Sequence, residues 1–156
     1  MSKIIFISST GGHLTELRQL EDLFQKNDSY LVTEKTKNNK SLIKKYQNRI
    51  KFLCYGTKHN MLIYPFICIY NILKSMILYF KIHPDYIITT GAHTCVPMCY
   101  IGKIFGSKII YIETFANIHT KTLTGKLIYP ISDVFIVQWK EMLDLYPKAK
   151  YWGWIF

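Results

Sequence analysis

Acidic residues are scarce in this chain. Ten Asp and Glu stand against twenty Lys and Arg among 156 residues, a formal net charge of +10. That imbalance narrows the partner classes to nucleic acid, an anionic membrane surface or phosphorylated ligands. No helix-turn-helix, RNP or OB signature accompanies it, so nucleic acid is left without a recognisable reading element. Cysteine is sparse as well. Cys54, Cys68, Cys95 and Cys99 are too few and too dispersed for a disulfide framework, which implies a reducing, cytoplasmic setting. Cys95 and Cys99 with His93 amount to half a zinc site, and no second pair has matching spacing, so core packing is expected of both cysteines. There is no Asp-x-Asp pair poised for a divalent ion, no GxGxxG fingerprint and no Walker sequence. The opening MSKIIFISSTGGH has too short an apolar stretch for a signal peptide and reads as a first strand.

What is abundant is apolar and aromatic. Hydrophobic residues make up 49% of the chain, with 12 Tyr and 9 Phe, which excludes a disordered protein, and the length suits a single domain over residues 1–156. The run Ile4-Ile5-Phe6-Ile7 fits a strand buried on both faces. It ends in the turn Ser8-Ser9-Thr10-Gly11-Gly12, and a helical stripe of Leu14, Leu17, Leu20, Leu23 and Phe24 follows. Further strands are expected over residues 29–33, 50–55, 85–90, 108–112 and 133–137, with helices over 96–105, 123–129 and 140–145. This alternation predicts an α/β fold, a doubly wound parallel sheet with helices on both faces.

Residues 62–82 match the roughly 20 residues that a membrane span requires. Pro65 interrupts the first turn, however, and Asn71, Lys74 and Ser75 sit near the middle. A span would also put the first three strands and the rest on opposite sides of the bilayer. The reading is an interfacial helix with one face in the core and the other on lipid, where Ile63, Phe66, Ile69, Tyr70 and Leu73 are the contact candidates. A wholly buried core helix is the alternative. Just before it lies a basic cluster, Lys35, Lys37, Lys40, Lys44, Lys45, Arg49, Lys51 and Lys58. Within it, Lys44, Lys45 and Arg49 are the candidates for anionic lipid, and a solvated basic face is the alternative.

The strongest chemical signal is strand–Gly11-Gly12-His13–helix. A parallel strand turning through glycine into a helix presents backbone N–H groups and a positive dipole end, which suits a phosphate or pyrophosphate. Ser9 and Thr10 belong to the same turn, and His13 is a candidate base. A plain tight turn is the alternative. Thr89-Thr90-Gly91-Ala92-His93-Thr94 ends the fourth strand in the same manner, and both turns would line one crevice where the winding reverses. Gly91, His93 and Thr94 are therefore added to the anion-binding set. Glu113, directly after the strand over 108–112, projects from the same edge and can orient a hydroxyl or a histidine, or cap the next segment. Ser9, His13 and Glu113 lack the GxSxG elbow of a hydrolase triad.

SSTGGHLTEL, PDYIITTGAHTCVP, IYIETFANI, TLTGKLIYPISDVFIVQW and YPKAKYWG together resemble the Alg-fourteen type of oligosaccharide biosynthesis protein, including bacterial subunits encoded with capsule and exopolysaccharide clusters. The acceptor half of MurG-type glycosyltransferases is a more distant likeness. The resemblance implies the N-terminal, acceptor half of a GT-B glycosyltransferase with a Rossmann-like sheet. A separate small subunit would carry the nucleotide-sugar-binding half and bind the UDP-sugar donor, and no other cofactor or metal is implied. The acceptor would be a polyprenyl-diphosphate-linked saccharide. The chain would sit peripherally on the cytoplasmic face of the plasma membrane, since it begins directly at a strand where eukaryotic members carry an anchor. His13 and Glu113 would lie at the reaction centre, with Gly11, Gly12 and Gly91 beside it. The apolar tail, Trp152, Trp154, Ile155 and Phe156, is expected to dock the partner subunit, or else to pack on its own domain.

Overall fold

A computed structural model describes residues 1–56 and 63–155, without the side chains of Asn38 and Lys40. Lys58, Met61, Leu62 and Phe156 therefore lie outside the described residues. The strands are β1 (Lys3–Ser8), β2 (Asp28–Glu34), β3 (Ile50–Leu53), β4 (Tyr86–Gly91), β5 (Lys108–Ile112), β6 (Val134–Val137) and β7 (Lys150–Tyr151). The helices are α1 (Gly12–Arg18), α2 (Glu21–Gln25), α3 (Lys40–Tyr46), α4 (Tyr64–Ile82), α5 (Val96–Ile104), α6 (Leu123–Ile128) and α7 (Met142–Leu145). All seven strands pair in parallel, in the order β3-β2-β1-β4-β5-β6-β7. This is the doubly wound parallel α/β sheet that the alternation predicts, Rossmann-like as the resemblance implies. The chain winds outward from β1 to β3, then returns through α4 to lay β4 on the other side of β1. The direction reverses between β1 and β4, where such sheets bind ligands beyond the carboxyl ends of the strands.

Alternate strand residues feed two cores, one on each face. Ile5, Ile7, Ile87, Ile109 and Tyr111 pack with Leu78 and Tyr79 of α4, Met98 and Cys99 of α5, and Met142 of α7. Ile4, Phe6, Leu31, Ile88 and Ile112 pack with Leu14, Leu17, Phe24, Leu42 and Tyr46 from α1 to α3. Cys95 and Cys99 are buried and unbridged, as core residues should be.

Several expectations need correction. The stripe beginning at His13 forms two helices, because Gln19 and Leu20 bond the carbonyls of Glu16 and Leu17, three residues back. That tightened turn re-aims the second helix, and Leu23 faces solvent. The third strand ends at Leu53, since Cys54 leaves the ladder and exchanges two 2.8 Å hydrogen bonds with the Asn71 side chain. Helix α3 has no predicted counterpart. Among its described side chains Leu42 and Tyr46 are the buried ones, too little pattern to read beside its three lysines.

Helix α4 buries Asn71, Ser75, Leu78, Tyr79 and Ile82 and exposes Phe66, Ile69, Tyr70, Leu73, Ile77 and Phe80. Only 28% of its most apolar window is buried, which excludes the wholly buried core helix. By length and composition it is apolar enough to cross a membrane. Of the polar residues that argue against a span, Asn71 and Ser75 face the protein, while Lys74 is half-buried and donates to the exposed Tyr70 hydroxyl at 3.2 Å. Lys44, Lys45 and Arg49 do not share a face with it: α3 packs in the second core and α4 in the first. Lys45 pairs with Glu21 at 2.9 Å, and Arg49 donates to Gln25 at 2.8 Å while covering the Phe24 ring. Lys44, Lys45 and Arg49 thus lie across the β3 edge from the apolar stripe, whereas Lys35 borders the groove beside it.

Candidate functional site

Several loops meet where the winding reverses, and β4 fixes the turn after β1. Ser9 N donates to Gly91 O at 3.0 Å, Ala92 N to Ser9 Oγ at 3.2 Å, and Thr90 Oγ1 to the His13 carbonyl at 2.7 Å. Gly91 is required here. Its φ is +102°, which side-chain-bearing residues rarely adopt, and the glycine sits against the His13 ring and the Tyr111 hydroxyl. The two strand-end turns therefore share one edge, with His13 between them. Gly11, at φ +89°, swings the chain into α1, whose N-terminus has no side-chain cap. A Cβ at Gly11 or Gly12 would meet no atom within 4 Å, so this backbone is open to approach.

Thr10 and Thr94 are engaged elsewhere. Glu34, at the end of β2 and 1% exposed, accepts the Thr10 N–H on Oε2 at 3.1 Å and the Thr94 hydroxyl on Oε1 at 2.6 Å. Asn39 Nδ2 adds bonds to Thr10 Oγ1 and the Glu34 carbonyl. His93 Nε2 lies 3.9 Å from Glu34 Oε1, with its side chain half exposed. A carboxylate thus takes two donors expected to serve an anion. Sequence reasoning misses Glu34; its one signal is an acidic residue closing an apolar strand.

Glu16, also missed, is the neighbour of His13. Its Oε2 is 3.6 Å from His13 Nδ1, an ion-pair distance, and both side chains are largely buried. Glu16 raises the His13 pKa above its ordinary value against the opposing pull of burial, and Thr90 and the charge of Glu113 add to the rise. Glu16 Oε1 is held by Thr114 Oγ1 at 2.7 Å and Phe115 N at 3.1 Å.

Glu113 turns inward from the edge where it was expected to project. It is 1% exposed. Its Oε1 accepts from Thr122 Oγ1, Thr114 N and Tyr111 OH at 3.0, 3.1 and 3.3 Å, and its Oε2 from Thr122 Oγ1 and Tyr146 OH at 3.0 and 3.1 Å. Burial pushes this carboxyl above its usual range while the donors pull the other way. Burial likewise raises Tyr111 and Tyr146. Gly125 leaves the room for this knot, since a Cβ there would run into Glu113 Oε2, Tyr146 OH and Thr122 Oγ1. The charge of Glu113 reaches His13, but its oxygens stay inside. Among the described residues no three His, Cys, Asp or Glu are grouped to hold a metal.

The tail does two things at once. Trp154 packs edge-on against Phe115 and Trp139, each at 5.5 Å, and Ile155 N donates to Gln138 Oε1 at 3.1 Å. Trp152 and Trp154 nevertheless stay 62% and 63% exposed.

A sequence model described as "Oligosaccharide biosynthesis protein Alg14 like" matches residues 3–155. The chain belongs to that family. Among its relatives, the "UDP-N-acetylglucosamine transferase subunit ALG14" of Candida albicans is 43% identical over 91 residues, covering 54% of this chain and 42% of that protein. The human protein of the same name is 34% identical over 95 residues, covering 54% of this chain and 44% of that one. The chain thus matches less than half the length of these two Alg14 proteins. That of Debaryomyces hansenii is 28% identical over 176 residues, 97% of this chain and 75% of that one. In fold, the chain resembles MurG of Acinetobacter baumannii with a TM-score of 0.72 at 15% identity, over 90% of this chain and 43% of MurG. It is equally similar to a UDP-N-acetylglucosamine 2-epimerase of Rickettsia bellii, with a TM-score of 0.72 at 18% identity over 99% of this chain and 45% of that one. At such identity these two likenesses establish the fold of this Alg14-like chain and nothing more.

Proposed function

We propose that this chain is the acceptor-binding, membrane-associating subunit of a two-part glycosyltransferase. The reaction is transfer of a sugar from a UDP-sugar to a polyprenyl-diphosphate-linked saccharide in capsule or exopolysaccharide synthesis, at the cytoplasmic face of the plasma membrane. The reading rests above all on the placement of His13. It stands at the sheet's switch point beside an open glycine turn and an uncapped helix start, in a family whose members are named as transferase subunits.

The acceptor hydroxyl oxygen attacks the anomeric carbon, the bond to the nucleotide's phosphate oxygen breaks, and His13 takes the hydroxyl proton. A partner subunit carries most of the UDP-sugar site, and no further cofactor takes part. The acceptor pyrophosphate meets the first-turn amides at Gly11 and Gly12, with Ser9, Gly91 and His93 around it. Thr10 and Thr94 act one step back through Glu34, and Glu113 acts on His13 through its charge. The polyprenyl chain lies along α4, where Phe52, Tyr55, Phe66, Ile67 and Tyr70 line a groove of about 620 Å³ with Lys35 and Lys74 beside them. Trp152, Trp154, Ile155 and Phe156 meet the partner.

A second reading makes the chain a non-catalytic scaffold that recruits and enhances its partner. One observation favours it: Glu34 and Glu113 direct their oxygens to internal donors. Co-expression with the small partner subunit, followed by assay of membranes with labelled UDP-sugars and a polyprenyl-diphosphate saccharide, separates the two. Transfer is expected only when both proteins are present, and His13→Ala should lower kcat on the order of 10²-fold with the complex intact. Full transfer by the partner alone overturns the two-part enzyme. Undiminished transfer by the His13→Ala pair leaves the scaffold.

A further inference from the structure

Two buried polar atoms at the site lack hydrogen-bond partners, and they face each other. His13 Nδ1 and Glu16 Oε2 are both shielded from solvent and both unbonded, at 3.6 Å across one turn of α1. Leaving either group unpaired is costly, and a movement of roughly half an ångström would join them. Neither has another direction to turn. The second oxygen of Glu16 is clamped by Thr114 Oγ1 and Phe115 N from the loop after β5. The His13 ring is backed by Gly91, its carbonyl is held by Thr90, and the Tyr111 hydroxyl lies beside the same glycine.

We propose that Glu16 is the positioning residue of His13, holding the ring with its proton on Nδ1 and leaving Nε2 as the proton acceptor. This assignment deepens the proposed function, because it concerns the same histidine acting as base. The chemistry follows from imidazole's two nitrogens: a carboxylate facing one fixes the proton there and leaves the lone pair on the other. Nδ1 is shielded while the side chain keeps 27% of its surface exposed, so the accessible part of the ring lies away from Glu16. As the acceptor oxygen bonds to the anomeric carbon, its proton passes to Nε2 and the imidazolium charge is shared with Glu16. The titratable groups that face or act on the ring among the described residues are Glu16 on α1, the charge of Glu113 just after β5, and Tyr111 of β5, whose hydroxyl lies beside Gly91; Thr90 and Gly91 face it from β4. In unliganded sites such contacts are often long and tighten when substrate closes over them.

The rival role for Glu16 is a clamp on the 114–115 loop alone. Glu16→Gln tells them apart, since its amide oxygen can keep the bonds to Thr114 and Phe115 while its NH₂ faces Nδ1. In the full chain labelled with ¹⁵N-histidine, with the His13 signals assigned by their loss in His13→Ala, nitrogen shifts read tautomer and pKa. The wild type should show the Nδ1–H form. Glu16→Gln should move the proton to Nε2 and lower the His13 pKa. A wild-type Nε2–H form, or a Gln variant with unchanged tautomer and pKa, overturns the proposal. In the complex, Glu16→Gln should lower kcat by about 10²-fold at unchanged KM and shift the acidic limb of the pH profile downward, while Thr114→Val, which removes only a clamp, should not move that limb. A tautomer change with undiminished turnover supports the pair and removes the base reading instead. Should Glu16→Gln not melt cooperatively, Glu16→Asp, which keeps the charge and shortens the reach, serves the same nitrogen-shift comparison.

Discussion

Two regions of the molecule reverse the usual sorting of polar and apolar groups. Beside β5 and α6, a carboxylate and two tyrosines are packed inside and bonded to a half-buried threonine. Along α4, phenylalanine, isoleucine, tyrosine and leucine side chains face out while Asn71 and Ser75 face in. The first inversion is balanced internally, because each Glu113 oxygen finds donors from this chain. The second has no internal counterpart among the described residues. A buried polar knot whose carboxylate finds its donors ends its work within the fold, whereas an apolar stripe left exposed by the described residues directs attention outward. Substitutions in the two regions should accordingly move different observables.

The knot should give the largest loss of stability. Gly125→Ala places a methyl group where Glu113 Oε2, Tyr146 OH and Thr122 Oγ1 already meet, and those three cannot separate without losing bonds. A loss of about 3 kcal/mol is expected in urea unfolding, combining overpacking with broken hydrogen bonds. A variant as stable as wild type would mean that the knot is loose. Glu113→Gln sharpens the same point with pH. The folded protein holds this carboxyl above its ordinary pKa, chiefly through burial, so its favourable contribution is full below the unfolded value and is lost as pH rises through the folded one. The substitution should cost about 1 kcal/mol at acid pH and progressively less as pH rises through the raised folded pKa. A cost that grows with pH would mean that the donors outweigh burial.

The same contrast explains what could be read from the sequence. The sheet was legible because burial on both faces writes continuous apolar runs such as Ile4-Ile5-Phe6-Ile7, and the Gly11-Gly12 and Gly91 turns were legible because strand ends need unusual backbone. Glu16 lies three residues after His13, a spacing that joins side chains on a helix, and so was within reach of the pattern. Glu34 and the knot were not. Thr94 reaches Glu34 across 60 positions, Tyr146 reaches Glu113 across 33, and Thr114 reaches Glu16 across 98. Periodicity carries no trace of polar pairs that distant. The exposed face of α4 was half legible: its apolar character stood in the sequence, but its rotation goes with the bonds between Asn71 and Cys54, which hold Asn71 and Ser75 inward.

The stripe should give the smallest change in stability and the clearest change in binding. Phe66, Ile69 and Leu73 are 71%, 56% and 50% exposed, so replacing each with Ser should alter unfolding by no more than about 0.5 kcal/mol per site. On a lipid surface the same side chains would bury apolar area at about 25 cal/mol per Å², and roughly 200 Å² of contact is worth about 5 kcal/mol. Co-sedimentation with vesicles containing anionic lipid should therefore fall at least tenfold in the triple variant while the melting curve stays in place. Lys44 and Lys45 provide the control, since they lie on the other face of the β3 edge and act on a membrane at the α4 face only through longer-range charge. If Ala at both lysines abolishes vesicle binding and Ser along α4 does not, the lipid-facing surface is the α3 side, and the stripe covers a protein partner.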